Sequence, residues 1–495
     1  MMASLEATLY PVVAGINNYL SSSVLVVLLV AVGLWYSVKT RFVQIRYFKQ
    51  GMQKVFGNLS LKGGKQKGGL SSFQALATAI AAQVGTGNIV GACGAILLGG
   101  PGAIFWMWII AFLGMATIYA EAVLAQKTRV VNEDGSVSGG PVYYIKQAFK
   151  SKFGKVLAAF FAVATMLALG FMGTMVQSNS IGESMGNVFG MGAGTYQWII
   201  GLVVAALAAV IFLGGVNRIA SVTEKMVPIM AGLYIVGCLV VIFARVQYIP
   251  ETFGMIFKYA FNTNALIGGG IGYALKMALS QGAKRGLFSN EAGMGSTPHA
   301  HAQANVKDPH EQGVTAMIGV FIDTFIVLTM TALVVISTLY AGGGELGNAA
   351  NYMTNADGMR VVALDGYVKT SLAQRAFGTV FGTTFGNVFV AVCLFFFAFS
   401  TILGWNFFGK INAEYLFGKK GVKVYTILAI FFIFAGSLFS NGFVWELTDF
   451  FNYLMVLPNV LALAMLSTLV VKSCCRRRED CALPADAPAS VTEEE

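Results

Sequence analysis

QVGTGNIVG, residues 83–91, interrupts an apolar run that covers residues 70–98. At ~1.5 Å per residue that run is long enough to cross a bilayer with some tilt, which puts the interruption near mid-membrane. Hydrocarbon offers no water to loose backbone groups, so unwound chain at that depth has to line a protein-walled cavity. A half-helix starting there aims its free N–H groups and the positive end of its dipole at whatever fills the cavity, as an anionic group such as a carboxylate would require. The bland alternative is a glycine-rich helix packed closely on its neighbours.

Composition sets the class. Hydrophobic residues make up 56% of the chain and charged ones 11%, against roughly 25% charged in a soluble domain. The chain is therefore expected to be an integral membrane protein. Its net charge of +10 sits between apolar stretches rather than on a soluble domain, so it sets orientation and does not indicate nucleic acid. Cys93, Cys238 and Cys393 fall in apolar spans and read as small hydrophobes, and no cysteine pattern has metal-site spacing. Near the N-terminus, the run over residues 22–36 lacks a basic leader and a clear cleavage site and reads as a retained helix.

Apolar lengths give about eleven spans, the first over residues 17–36 and the last over 444–471. Lys and Arg then divide sharply: 27 of 33 fall in loops on one side, 5 on the other, and Lys276 alone falls inside a span. The positive-inside rule places the 27 in the cytoplasm, with the N-terminus outside and the C-terminus inside. Ten spans follow the first and divide into two sets of five, which must run in opposite senses. The first member of each set is glycine-broken (residues 70–98, and from Leu266 through SQGAKRGLFSNEAG), and the third is long (156–188 and 380–416). Paired broken helices of this kind mark an inverted-repeat transporter. The expected organisation is an extra N-terminal helix and basic segment over residues 1–69, a first repeat over 70–260, a second over 261–472, and a disordered cytoplasmic tail over 473–495.

Five segments then carry a family resemblance: QVGTGNIVG, GGPGAIFWMW (99–108), SGGPVYYI (138–145), KRGLFSNEAGMGSTPHAHA (284–302) and FAFSTILGW (397–405). Together they resemble the alanine or glycine:cation symporter family, over nearly the whole chain. The resemblance implies a leucine-transporter (LeuT)-like fold, cation coupling and a small neutral amino acid as substrate, in a plasma membrane. The expected fold class is thus an all-α polytopic membrane protein with a 5+5 inverted repeat.

A zwitterion needs an anion site and a cation site. Thr86, Gly87 and Asn88 at the first break can supply the former, and carbonyls freed around Ser280, Gln281 and Gly282 at the second break the latter. Neither break carries a compensating charge, which favours a neutral substrate. The resemblance places Gln177, in GTMVQSNS, on the substrate. Trp405 lies one turn after Thr401, on the same helix face, where it would limit substrate size. Ser400 and Thr401 offer two hydroxyls, with Thr401 serving both sites. Aligning VGTGN with the fold's usual VGLGN pattern adds the carbonyls of Ala81 and Val84, and Phe397 contributes from the hydroxyls' own helix, which completes a sodium site. Ser and Thr in membrane helices also back-bond to the preceding turn.

Charged residues inside spans are functional candidates by default. Lys276 and Asp323 are expected to form an ion pair, Glu121 to make a helix-end or loop contact, and Asp449 to sit at the interface; Glu291 holds a loop or an inner gate. His299, His301 and His310 lack the spacing and companions of a metal site, and no cofactor or nucleotide loop is present. The sequence therefore reads as a sodium-coupled importer of alanine or glycine. Proton coupling through Lys225 or the Lys276–Asp323 pair, a polytopic membrane enzyme, and a transport-silent amino-acid sensor are the rival readings.

Overall fold

A computed structural model describes residues 2–57, 70–132, 137–190, 197–261, 271–354, 360–364 and 366–474. Leu266 and the chain beyond Cys474 lie outside them. The helices that matter are α1 (Val26–Lys39), α2 (Ser72–Gln83), α3 (Gly87–Gly99), α4 (Ala103–Thr128), α5 (Lys152–Val188), α6 (Gln197–Phe212), α7 (Asn217–Ala244), α8 (Ile271–Asn290), α9 (Pro309–Leu339), α10 (Thr383–Gly436) and α11 (Asn441–Met465). Among the described residues α4, α5, α7, α9, α10 and α11 are each long and apolar enough to cross a membrane, and α2 with α3 adds one bent span. The chain is a multi-pass membrane protein.

The first break falls where the glycines put it. Ser71 starts α2 with a capping box: its hydroxyl accepts from the Gln74 N–H at 3.0 Å while the Gln74 side chain accepts from the Ser71 N–H at 3.1 Å. The helix ends at Gln83, α3 resumes at Gly87, and the two are bent by 46°. Lateral position follows composition. Only 33% of the apolar window of α7 is buried inside the protein, against 72% for α4 and α10, so α7 presents its Val236, Val240 and Phe243 outward, toward lipid, and α4 and α10 form the centre. At 54 residues α10 is too long for one ~30 Å crossing. It reverses at Gly418, whose φ of +67° is open to glycine, and folds back so that the Tyr425 ring packs on Gly409.

The second break lies later than expected. α8 runs unbroken through Ser280, Gln281 and Gly282 and ends at Asn290, where Glu291 takes a left-handed φ of +58°. Gly282 serves packing instead: a Cβ there would come within 2.6 Å of the Trp106 Cβ and 2.7 Å of the Ala103 carbonyl. A small residue at that point lets α8 and α4 approach backbone to side chain, as membrane helices often do.

Two expectations about charge are also corrected. Lys276 is exposed and forms no ion pair with Asp323, which is fully buried and takes its partners from neutral donors. Asp449 lies not at the interface but in a buried cluster, only 1% exposed. Lys284 approaches it to 2.8 Å and Arg285 to 3.2 Å, and Lys284 also reaches Glu446 at 3.4 Å. The Arg285 guanidinium and the Lys369 ammonium both lie on the Trp445 ring, 4.5 and 4.6 Å from its centre. Lys284 and Arg285, counted as loop cations in the sequence, therefore sit within the bundle, which leaves the charge asymmetry of the remaining loops intact.

Removing one member of such a cluster strands the others. Asp449→Leu should destabilise the protein by about 3 kcal/mol or more, read as a lowered thermal midpoint in detergent, and Lys276→Met should leave that midpoint unchanged.

Candidate functional site

The gap between α2 and α3 is held open by side chains. The Gly85 N–H donates to Asn88 Oδ1 at 3.0 Å, the Thr86 N–H to Gln177 Oε1 at 3.2 Å, and the Asn88 N–H to the Gly85 carbonyl at 3.2 Å. These bonds satisfy backbone that no helix can, the condition for unwound chain at this depth. Asn88 is thereby committed to the break itself, because its Nδ2 donates to Asp323 Oδ1 at 2.6 Å. The Thr86 hydroxyl and the Gln177 Nε2, both fully buried, have no partner among the described residues. Such a pair of unmet buried polar groups can hold a polar ligand.

α8 runs antiparallel to α3, and close approaches fix the register. A Cβ on Gly87 would lie 3.0 Å from the Ser289 Cα and 3.1 Å from the Phe288 ring, one on Gly91 would lie 4.0 Å from Arg285, and one on Gly99 would lie 3.2 Å from Gln281. Ser280, Gln281 and Gly282 therefore stand beside the far end of α3, about three turns from Thr86, and are not brought to the break. The residues that face it are Phe288 and Ser289, with the carbonyl end of α8 just beyond. Gln83 ties into that end directly, donating to the Asn290 carbonyl at 2.6 Å.

Trp405 stands beside the same break. Its ring meets Phe288 edge-on, centres 5.7 Å apart, and Phe288 in turn lies 4.5 Å from the Trp445 ring. A Cβ on Gly173, inside a π-helical stretch of α5, would be 2.4 Å from the Trp405 ring. The Trp405 indole N–H donates to Glu291 Oε1, and the other carboxylate oxygen accepts from Ser296 at 2.5 Å. The loop after α8 is gripped further by Glu121, which accepts from the Gly293 and Gly295 N–H groups at 3.1 and 2.9 Å and from Asn459 at 2.7 Å. Glu121 thus makes a loop contact, as the sequence led one to expect.

A second cluster is built of oxygen. The Thr401 hydroxyl lies 3.0 Å from the Ala81 carbonyl and 3.1 Å from that of Phe397; the Ser400 hydroxyl lies 3.3 and 2.8 Å from the same two. Four of the five residues expected around a cation therefore converge, and Val84 is the residue that caps α2 just after Gln83. Hydroxyls and carbonyls without a carboxylate suit a hard monovalent cation. A Cβ on Gly85 would fall 2.2 Å from the Thr401 hydroxyl, so the oxygen cluster and the break are in contact. The three histidines are engaged separately: His299 with Asn412, His301 with Gln312 and His310 with Tyr119.

Phe288 and Ser289 escape the sequence pattern because SQGAKRG resembles the break that FSNEAG makes about ten residues later; the bulky Phe directly before the polar run is their signal.

Helices interrupted at neighbouring polar segments are an arrangement that membrane transporters share, and comparison with known proteins agrees. A solved structure of MhsT in complex with L-phenylalanine superposes with a TM-score of 0.58 over 81% of this chain and 90% of that one, at 13% identity, which establishes a shared fold. The chain belongs to the sodium:alanine symporter family, whose model matches residues 6–480. It is 38% identical over 458 residues to the sodium/alanine symporter AgcS of Methanococcus maripaludis, covering 92% of this chain and 94% of that protein. It is 35% identical over 449 residues to the amino-acid carrier protein AlsT of Bacillus subtilis, covering 90% and 87%. It is an amino-acid transporter and not an enzyme.

Because Gly85 touches Thr401, Gly85→Ala should force the break and α10 apart, destabilising by about 1–3 kcal/mol and abolishing uptake in reconstituted vesicles. Gly232→Ala, where a Cβ meets nothing within 4 Å, should leave uptake unchanged.

Proposed function

We propose that the chain is a sodium-coupled symporter that imports alanine, glycine or a similarly small neutral amino acid across the plasma membrane by alternating access. The observation that carries this reading is the contact at the first break: Gly85 abuts the Thr401 hydroxyl of the oxygen cluster, while the adjacent Thr86 hydroxyl is buried without a partner among the described residues. Sodium held by Ala81, Val84, Phe397, Ser400 and Thr401 would brace α2 against α10. The substrate carboxylate would then take Thr86 and Gln177 Nε2 at the foot of α3, aided by Gly87, and its ammonium would face the carbonyl end of α8. That end takes over the role the sequence suggested for Ser280, Gln281 and Gly282. Phe288 and Trp405 would leave room for a short side chain only.

The loaded protein would switch by rocking one helix set against the other, with the ion and the substrate each raising the other's affinity. Eleven spans, a 5+5 inverted repeat after an extra N-terminal helix, and an outward N-terminus belong to the same proposal, supported by the loop charge bias and the bent α2–α3 pair. The intact Ser400–Thr401 pair favours sodium over a proton as the ion at this cluster.

Uptake of labelled amino acids into proteoliposomes tests the reading. An inward sodium gradient should drive alanine or glycine uptake and a proton gradient without sodium should not; the reverse result would refute it. Replacing Ser400 and Thr401 together by alanine should raise the sodium requirement at least tenfold, ~1.4 kcal/mol. Trp405→Leu should raise the affinity for valine relative to alanine several-fold, each newly buried methylene contributing about 0.8 kcal/mol, as measured by competition. An unchanged rank order would remove Trp405 from the site.

A further inference from the structure

Asp323 is a buried carboxylate that the transport reading does not use. It is 0% exposed and has no ion-pair partner among the described residues. It lies in a π-helical segment of α9, Phe321–Leu328, a local widening that often accompanies functional positions. Its contacts join three elements. Oδ1 accepts from Asn88 Nδ2 of the first break at 2.6 Å; Oδ2 accepts from the Ser289 hydroxyl in the last turn of α8 at 2.9 Å and from Thr324 at 2.8 Å; and Asn88 Nδ2 also reaches the Asp323 carbonyl at 3.1 Å. One carboxylate thus clasps both broken helices to α9.

The charged groups on the elements around it are engaged elsewhere or exposed. On α8, Lys284 and Arg285 turn to Glu446 and Asp449, and Lys276 is exposed. On α4, Glu121 holds the Gly293–Gly295 backbone; past the end of α8, Glu291 holds Trp405 and Ser296. On α7, Glu224 accepts from Gln74, Arg218 and Lys225 are exposed, and Tyr234 bonds Thr331 of α9. At the start of α9, His310 meets Tyr119 and Glu311 meets Lys54. The stretch Gly87–Gly91 carries no charge. Among the described residues no cation pairs with Asp323.

We propose that Asp323 is a proton-binding site, and that its protonation releases the clasp between the two broken helices. The donors decide between a proton and a metal cation. Asn88 points an N–H at Oδ1, and its amide cannot turn without withdrawing Oδ1 from the Gly85 N–H, so a metal ion would meet a donor where it needs an oxygen. A proton on Oδ2 meets two hydroxyls instead, and a hydroxyl can rotate from donor to acceptor. The new O–H bond forms on Oδ2, Ser289 or Thr324 reverses, and the carboxyl loses the charge that strengthened its hold on Asn88 and Ser289.

The test needs no substrate, so its outcome is independent of the transport reading. The full chain is purified in detergent and acidified from about pH 9 to about pH 5 while infrared difference spectra record the C=O stretch of protonated carboxyl groups. The wild type should gain a band that Asp323→Asn lacks. Hydrogen–deuterium exchange is followed alongside, corrected for intrinsic pH dependence. Peptides spanning residues 84–91 and 287–297 should exchange at least several-fold faster in the wild type at low pH than at high pH, and Asp323→Asn should show the fast pattern at both. If that variant does not fold, the wild-type contrast between the two pH values carries the same test. A band that persists in Asp323→Asn, or protection of these peptides that is the same at both pH values in the wild type, would overturn the proposal.

Discussion

Backbone inside a membrane must be satisfied by protein, and the chain meets that demand at the first break with side chains. Asn88, at the start of α3, takes the Gly85 N–H, and Gln177 of α5 takes the Thr86 N–H. Gln83 crosses to the Asn290 carbonyl at the end of α8, and Thr401 of α10 presses against Gly85. α5, α8 and α10 thus meet around one point. Had the span continued as a helix, its N–H groups would be spent internally and nothing would converge there.

The second break depends on charge rather than on glycine alone. Glu291 adopts a left-handed conformation that a non-glycine residue takes up only when its surroundings hold it. Here Trp405 and Ser296 hold its carboxylate, and Glu121 with Asn459 holds the backbone two to four residues on. Trp405 also meets Phe288, which lies against Gly87, so this loop is linked through one side chain to the first break.

The first break was legible because glycine, threonine and asparagine are rare company in the middle of an apolar run, and the Ser400–Thr401 pair because adjacent hydroxyls stand out likewise. The second break was harder to place. SQGAKRG holds two glycines that look like a break but serve as a packing notch against Trp106 and Met107, and a notch and a break use the same residue. Charge was the least legible feature. Lys284 and Arg285 read as loop cations, since a one-dimensional count cannot see that Asp449, more than 160 residues away, waits across the bundle. Lys276 and Asp323 share a depth in the sequence, yet a helix has more than one face, and Lys276 uses the outer one.

Sodium and the amino acid are proposed to meet at the same break, so the most direct measurement is equilibrium binding of each in the presence of the other. Calorimetry on the purified chain, titrating alanine at a series of sodium concentrations and sodium at a series of alanine concentrations, gives both couplings. Each ligand should tighten the other by the same factor, as linkage requires, with potassium unable to substitute for sodium. Alanine binding that is equally tight with and without sodium would contradict the account.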